Sequence, residues 1–241
     1  ATVDRTFLDA EARRRCLARR RSTLHRVINA TGVVIHTNLG RSCLHSEAAA
    51  AVQEVAETYS TLEYDLAQGE RGHRNDHVEW LLCQATGADA ALVVNNNAGA
   101  VLLGLTALAR ERQVVVSRGE LVEIGGSFRV PEILSFSGAQ MVEVGTTNRT
   151  YLHDYAQAIT SETAVLLKVH PSNYRVVGFS SGVERADLAK LAREKELIFM
   201  EDLGSGMLVS LEDRGLPGEP TVRQCLQQGV DLVTFSGDKL L

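Results

Sequence analysis

The sequence predicts an α/β protein built on a mostly parallel sheet with helices on both faces. Three observations carry this expectation. Short continuous apolar runs such as QVVVS (113–117), AVLLKV (164–169) and ELIFME (196–201) alternate with stretches of helical periodicity, which is the pattern of strands buried on both faces. Each run closes on a polar segment, and most of those segments contain glycine. The 241 residues, 44% of them hydrophobic, suffice for one large domain with its own core, or for one domain plus an appendage.

Taken in order, apolar periodicity from Phe7 to Leu24 predicts a helix, which Asn29-Ala30-Thr31-Gly32 breaks before an extended run, VVIHTN (33–38), that opens the main domain. SEAAAAVQEVAETY (46–59) reads as a helix capped by Ser46. The glycine-punctuated LAQGERGHRND (66–76) reads as a loop, and Asp76 begins a helix that ends at Gly87. A strand ALVVN (91–95), a helix over 98–110, the strand QVVVS, a further helical stretch, the strand QMVEV (140–144) and a helix over 152–160 follow. AVLLKV, a helix over 184–195, ELIFME, a helical TVRQCLQQG (221–229) and the strand DLVTFS (231–236) complete the series.

Composition bounds the function. No run of 18 or more apolar residues occurs, so no membrane span is expected, and charge in the first twenty residues leaves no room for a secretory h-region. The cytoplasm is the expected address. Cys16, Cys43, Cys83 and Cys225 lack any C-x-x-C pairing, which fits reduced thiols and no metal site. The net charge of −5 is uneven: eight arginines against three acids in residues 1–26 leave +5 there and −10 in the remainder. Such a basic segment beside an acidic body either meets a polyanion such as RNA or is a solvated connecting helix.

In parallel α/β sheets ligands bind beyond the carboxyl ends of the strands, so the residues closing each run are the candidates for chemistry. They are NNNAGA (95–100), SRGELVE (117–123), VHPSNY (169–174), EDLGSG (201–206) and FSGDK (235–239). Asn95, Asn96 and Asn97 precede a helix, where free backbone N–H groups attract an anion. Neither a Walker loop nor a G-x-G-x-x-G fingerprint is present. Asp202 ends the apolar run LIFM, where a buried carboxylate needs a partner, and Lys239 ends the next strand. An anion loop, a strand-end carboxylate and a strand-end lysine together suit pyridoxal phosphate, whose phosphate, ring nitrogen and aldehyde need three such partners.

INATGVVIHTNLGR (28–41), LEYDLAQGERGHR (62–74), VVNNNAG (93–99), VVVSRGELVEIGGSFR (114–129), EVGTTNRT (143–150), KVHPSNY (168–174) and DLVTFSGDKLL (231–241) closely resemble the bacterial selenocysteine synthase family. These L-seryl-tRNA(Sec) selenium transferases are pyridoxal 5′-phosphate enzymes of the aspartate aminotransferase fold type I. The resemblance runs from about residue 20 to the end. It implies that Lys239 condenses with the cofactor aldehyde and serves as base for the α-proton, and that Asp202 partners the pyridine nitrogen. It further implies that Ser236 and Asn95–Asn97 hold the phosphate, that His170 is cofactor-proximal, and that Arg41 positions the selenium-donor anion. By the same resemblance Arg71 and Arg74 are expected to line the same mouth, with Glu120 and Glu123 near the substrate.

The implied reaction turns seryl-tRNA(Sec) into selenocysteinyl-tRNA(Sec) with selenophosphate, through β-elimination of water to a dehydroalanyl intermediate and addition of selenium. The resemblance also implies a homo-oligomeric ring of dimers. Residues 1–26 correspond to the last helix and linker of a tRNA-binding domain, and 27–241 to a pyridoxal-phosphate-binding large domain. The family chain continues beyond Asp-Lys-Leu-Leu with a glycine-rich strand, further arginines and a small domain, so the expectation is a piece cut at both ends whose activity alone is in doubt. Two other readings stay open: a related ammonia-lyase or dehydratase acting on a small amino acid or amino sugar, and a non-catalytic RNA-binding or assembly module. A generic α/β domain with capped strand ends is the bland alternative.

Overall fold

The computed structural model describes residues 4–124, 128–215 and 218–240. Residues 125–127 of the SRGELVEIGGSFR segment, residues 1–3 of the basic segment and Leu241 lie outside the described residues. The chain forms two compact units, Ala1–Arg41 and Ser42–Leu241.

Among its described residues the first unit holds one α-helix, α1 (Arg5–Arg20), shorter than the periodicity suggested. Asp4 caps it, its Oδ1 accepting from Thr6 N at 2.9 Å, and Glu11 pairs with Arg14 and Arg15 at 2.7 and 2.8 Å. The expected extended run after Gly32 is not a strand: no ladder forms along 33–36, and a 3-10 turn, Thr37–Leu39, follows with His36 Nδ1 accepting from Asn38 N. An apolar run becomes a strand only where a neighbour supplies hydrogen bonds, and none does here.

The second unit begins with α2 (Ser46–Glu57), whose cap is His45 instead of Ser46, the imidazole Nδ1 accepting from Glu47 N. The expected loop after it contains a two-stranded hairpin, β1 (Tyr64–Asp65) with β2 (Glu70–Arg71). Then come a 3-10 turn (Arg74–His77), α3 (Glu79–Thr86) ending at Gly87 in the left-handed region, and α4 (Asn97–Ala109). Residues 91–95, expected as a strand, run without ladder partners and leave Leu92 62% and Val93 58% exposed.

The sheet strands follow: β3 (Gln113–Ser117), a small hairpin of β4 (Glu123–Ile124) and β5 (Phe128–Arg129), α5 (Val130–Ser137), β6 (Gln140–Val144), α6 (Leu152–Ala158), β7 (Thr163–Val169), α7 (Arg185–Glu194), β8 (Ile198–Gly204), α8 (Val222–Gln227) and β9 (Leu232–Phe235). β6, β3, β7, β8 and β9 lie side by side in that order, all parallel. Helices cover both faces. On one, α4 and α5 pack Val101, Leu105, Val130 and Leu134 against Val114, Val116, Leu167 and Met200. On the other, Tyr155, Leu188, Ala192 and Cys225 from α6, α7 and α8 meet Val115, Leu166, Phe199 and Leu203. Strand alternation sends successive residues to the two cores, so β8 can place one carboxylate on each face.

Candidate active site

That alternation sorts the Glu201-Asp202 pair. Glu201, fully buried, turns to the α7 side, where Arg185 grips it with two hydrogen bonds of 2.5 and 2.8 Å and also donates to Gln228 Oε1 at 2.7 Å. This is a structural pair. Burial pushes the neighbouring Cys225 thiol up to about 12, with the Glu201 charge adding to it.

Asp202, 3% exposed, turns to the α4 side. Asn97 Nδ2, at the start of α4, donates to its Oδ1 at 2.7 Å. Burial raises the Asp202 pKa to about 6. The Asn97 hydrogen bond, the Lys239 charge and a backbone hydrogen bond at Gly204 restrain that rise, and Glu201 adds to it. Asn97 has a second polar atom here, Oδ1, which is buried and has no hydrogen-bond partner among the described residues. Thr234 Oγ1 is in the same condition, and Thr234 is the register partner of Asp202 on β9. Two orphaned polar atoms on elements that flank a buried carboxylate of raised pKa mark a place that needs a polar occupant.

Lys239 reaches the same strand ends. Its Nζ donates to Gly204 O at 3.2 Å, and its charge acts on Asp202. The segment that carries it is laced down: Ser236 N donates to Gly204 O at 3.2 Å, Leu240 N to Ser205 O at 3.3 Å, Ser42 N to Asp238 O at 3.2 Å, and Ser42 Oγ to Lys239 O. Gly206 makes the close approach possible. Its φ is +70°, and a Cβ there would lie 2.5 Å from the Phe235 ring and 2.7 Å from Ser236 O.

His170 follows β7 directly. Its backbone N donates to Asp202 O at 2.9 Å, and its Nε2 lies 3.0 Å from Glu219 Oε2. Burial works against the charge of Glu219, yet hydrogen bonds from His170 and Ser205, with electrostatic contributions from the same imidazole and from Lys239, hold its pKa below the usual value. His170 and Glu219 line a cavity of about 790 Å³ that also touches Glu120, Lys168, Arg149 and Arg175.

The structure thus brings Asn97, His170, Asp202, Ser236 and Lys239 to one end of three adjacent parallel strands. Other expected residues have different company. Asn96 is used as the α4 cap, its Oδ1 accepting from Gly99 N at 2.8 Å, and Asn95 is exposed. Glu120 spends both oxygens within the fold, accepting from Lys168 Nζ at 3.0 Å and Val169 N at 2.9 Å. Glu123 is exposed and paired with Arg129 at 2.7 Å. Arg71 and Arg74 both hold Glu63, at 3.1 and 2.6 Å, and line a second cavity of about 520 Å³ with Leu92 and Val93. Arg41 belongs to the first unit and adopts φ +60°, its N donating to His36 O at 3.1 Å. Sequence reasoning missed Glu219 and Ser205. Ser205 stood inside EDLGSG, but nothing in the apolar pattern singled out Glu219.

The family model described as L-seryl-tRNA selenium transferase matches residues 27–241. An L-seryl-tRNA(Sec) selenium transferase from Clostridium perfringens is 56% identical over 243 residues, covering 99% of this chain and 53% of the relative. One from Moorella thermoacetica is 60% identical over 221 residues, covering 92% and 47%. The chain spans about half the length of the curated relatives it matches. Among solved structures, D-glucosaminate-6-phosphate ammonia-lyase superposes with a TM-score of 0.66 at 22% identity, over 85% of this chain and 52% of that one. A serine palmitoyltransferase from S. paucimobilis, solved with bound PLP, gives 0.53 at 14% identity, over 81% and 48%. At such identities these two establish the fold, the aspartate aminotransferase type.

Proposed function

The chain belongs to the SelA family of L-seryl-tRNA selenium transferases, and from that premise we propose that it is the cofactor-binding part of an enzyme converting seryl-tRNA(Sec) to selenocysteinyl-tRNA(Sec) with selenophosphate and pyridoxal 5′-phosphate. One observation carries the reading: a buried carboxylate with a raised pKa and a lysine amine meet at the carboxyl ends of adjacent parallel strands, with Asn97 Oδ1 left unpartnered between elements.

These residues fit the cofactor. A protonated ring nitrogen would give buried Asp202 a cationic donor in addition to the Lys239 charge, and the cofactor's polar substituents would offer a donor to Asn97 Oδ1. When bound, pyridoxal phosphate provides the electron sink that stabilises a carbanion at the substrate α-carbon. Asp202 keeps a proton on the ring nitrogen, and Asn97 fixes the carboxylate that does so. Lys239 Nζ would hold the cofactor at its aldehyde carbon and would serve as the base for the substrate α-proton. Ser236 and the start of α4, with Asn95 and Asn96, hold the phosphate. Their part in this is supported by position: Ser236 is tied to Gly204, beside both catalytic groups.

Beyond the cofactor, Arg41 holds the selenophosphate anion, and Arg71, Arg74 and Glu123 border the entrance for the charged tRNA end. Glu120 acts indirectly, by fixing the backbone at Val169 just before His170. Residues 1–26 are the end of a tRNA-binding domain and its linker, and 27–241 the large domain. The enzyme is a cytoplasmic homo-oligomer, a ring of dimers. Among the described residues no helix is long and apolar enough to cross a membrane. The ammonia-lyase likeness is one of fold and favours no second reading.

The test is a pair of charging assays with cofactor present: seryl-tRNA(Sec) plus selenophosphate, against free small amino acids and amino sugars. Selenocysteinyl-tRNA formed only in the first, and lost in Lys239→Ala, is the expected result. Ammonia released from the free amines, with no reaction of the charged tRNA, would replace this function by a lyase.

A further inference from the structure

Glu219 precedes α8 and reaches across the strand ends to two other segments. One carboxylate oxygen lies 3.0 Å from His170 Nε2, just beyond β7, and the other accepts a hydrogen bond from the hydroxyl of Ser205, just beyond β8. All three side chains are withdrawn from water: Ser205 is buried, and the His170 and Glu219 side chains are 15% and 18% exposed. Neither partner is a neighbour of Glu219 in sequence, so the bridge exists only in the folded site.

The chemistry of the bridge is directional. An ionised carboxylate accepts and cannot donate, so the His170 proton facing it must sit on Nε2, which defines how the other ring nitrogen, Nδ1, is presented. The backbone adds a second restraint, because His170 N is held by Asp202 O at 2.9 Å. His170 is therefore fixed at both its main chain and its ring, the first by the strand that bears Asp202 and the second by Glu219. The same Glu219 charge is felt by Lys239. Ser205 in turn sits in the loop whose carbonyl groups receive Lys239 Nζ at Gly204 and Leu240 N at Ser205 itself.

We infer that Glu219 is a positioning residue of this site: bridging His170 and Ser205, it sets the imidazole tautomer and joins the β7 and β8 ends against which the Lys239 segment is seated. This deepens the proposed function and rests on it for its catalytic meaning, but its physical content is independent of cofactor.

The experiment reads the ring directly. The chain is labelled with ¹⁵N-histidine, His170→Asn assigns the His170 signals, and long-range proton–nitrogen spectra are recorded without cofactor for wild type, Glu219→Ala and Glu219→Gln, each checked for a native circular dichroism spectrum. Wild type should show a single tautomer with the proton on Nε2. Glu219→Gln, which keeps an acceptor for His170 and a group to bond Ser205, should retain it, whereas Glu219→Ala should give averaged tautomer signals. Cofactor is then added: the borohydride-fixed adduct should form about tenfold more slowly in Glu219→Ala than in wild type, with Glu219→Gln near wild type. A folded Glu219→Ala with unchanged His170 signals overturns the inference. Should Glu219→Ala not fold, Glu219→Asp decides, since its carboxylate is one methylene too short to hold both partners, and unchanged His170 signals there overturn the inference equally. If wild type forms no adduct while the tautomer pattern follows Glu219, the bridge stands and the cofactor reading fails.

Discussion

Replacing Asp202 by asparagine should stabilise the cofactor-free protein at neutral pH while abolishing the activity proposed for it. The carboxylate is 3% exposed, and burial lifts its pKa from 3.8 to about 6. A rise of about two units corresponds to about 3 kcal/mol. Because the folded-state value lies above the unfolded one, folding favours the protonated acid. The stability this group contributes is fully present below pH 3.8, is lost as the pH climbs toward about 6, and stays lost above it. Asparagine does not ionise. It keeps an oxygen for Asn97 Nδ2 and offers an amide toward the unpartnered Asn97 Oδ1. Urea denaturation of both proteins across about pH 4 to 7.5 should therefore show the Asn variant gaining on wild type as pH rises, by about 2 kcal/mol between those limits, since part of the loss is already present at pH 4 and the attraction to Lys239 is contained in the net shift. A variant less stable than wild type at neutral pH, or a gap that does not change with pH, would refute the reasoning.

Other substitutions probe the supports. Arg185→Ala strands Glu201 as a fully buried unpaired charge, and the denaturation midpoint should fall by an amount worth about 3–5 kcal/mol; a loss below about 1 kcal/mol would mean that Glu201 takes up a proton or finds another partner. Gly206→Ala forces a Cβ into Phe235 and Ser236 at a φ of +70°, so calorimetry should show a lowered melting temperature, about 2 kcal/mol or more, together with weaker pyridoxal phosphate binding. Asn96→Ala removes the α4 cap and should cost about 1 kcal/mol in denaturant, with cofactor affinity falling in step as the loop before α4 frays.

The parallel core was legible because its strands are buried on both faces: QVVVS and QMVEV became β3 and β6 with unchanged bounds. The same signal misled at ALVVN and VVIHTN, equally apolar but without a ladder, since composition reports burial potential and hydrogen bonding requires a neighbour. Asp202 and Lys239 could be picked out because a charge at the end of an apolar run is conspicuous in any sequence. What each one touches could not. Asn97 lies 105 residues from Asp202, and its use as a carboxylate holder, with Asn96 as the helix cap, depends on how α4 docks on the sheet. Glu219 sits in a proline- and glycine-rich connection with no periodicity to mark it, and only the fold delivers it to His170.

The central claim is that one aromatic cofactor ring fits between the Asp202 carboxylate and the Lys239 amine. Its most direct test is to add pyridoxal phosphate to the chain, reduce with borohydride, and map the modified peptide by mass spectrometry in wild type, Lys239→Ala and Asp202→Asn. A single pyridoxyl adduct on Lys239 is expected, absent from Lys239→Ala and with its visible absorbance shifted in Asp202→Asn. An adduct fixed on any other lysine, or a wild-type spectrum that Asp202→Asn leaves untouched, would contradict it.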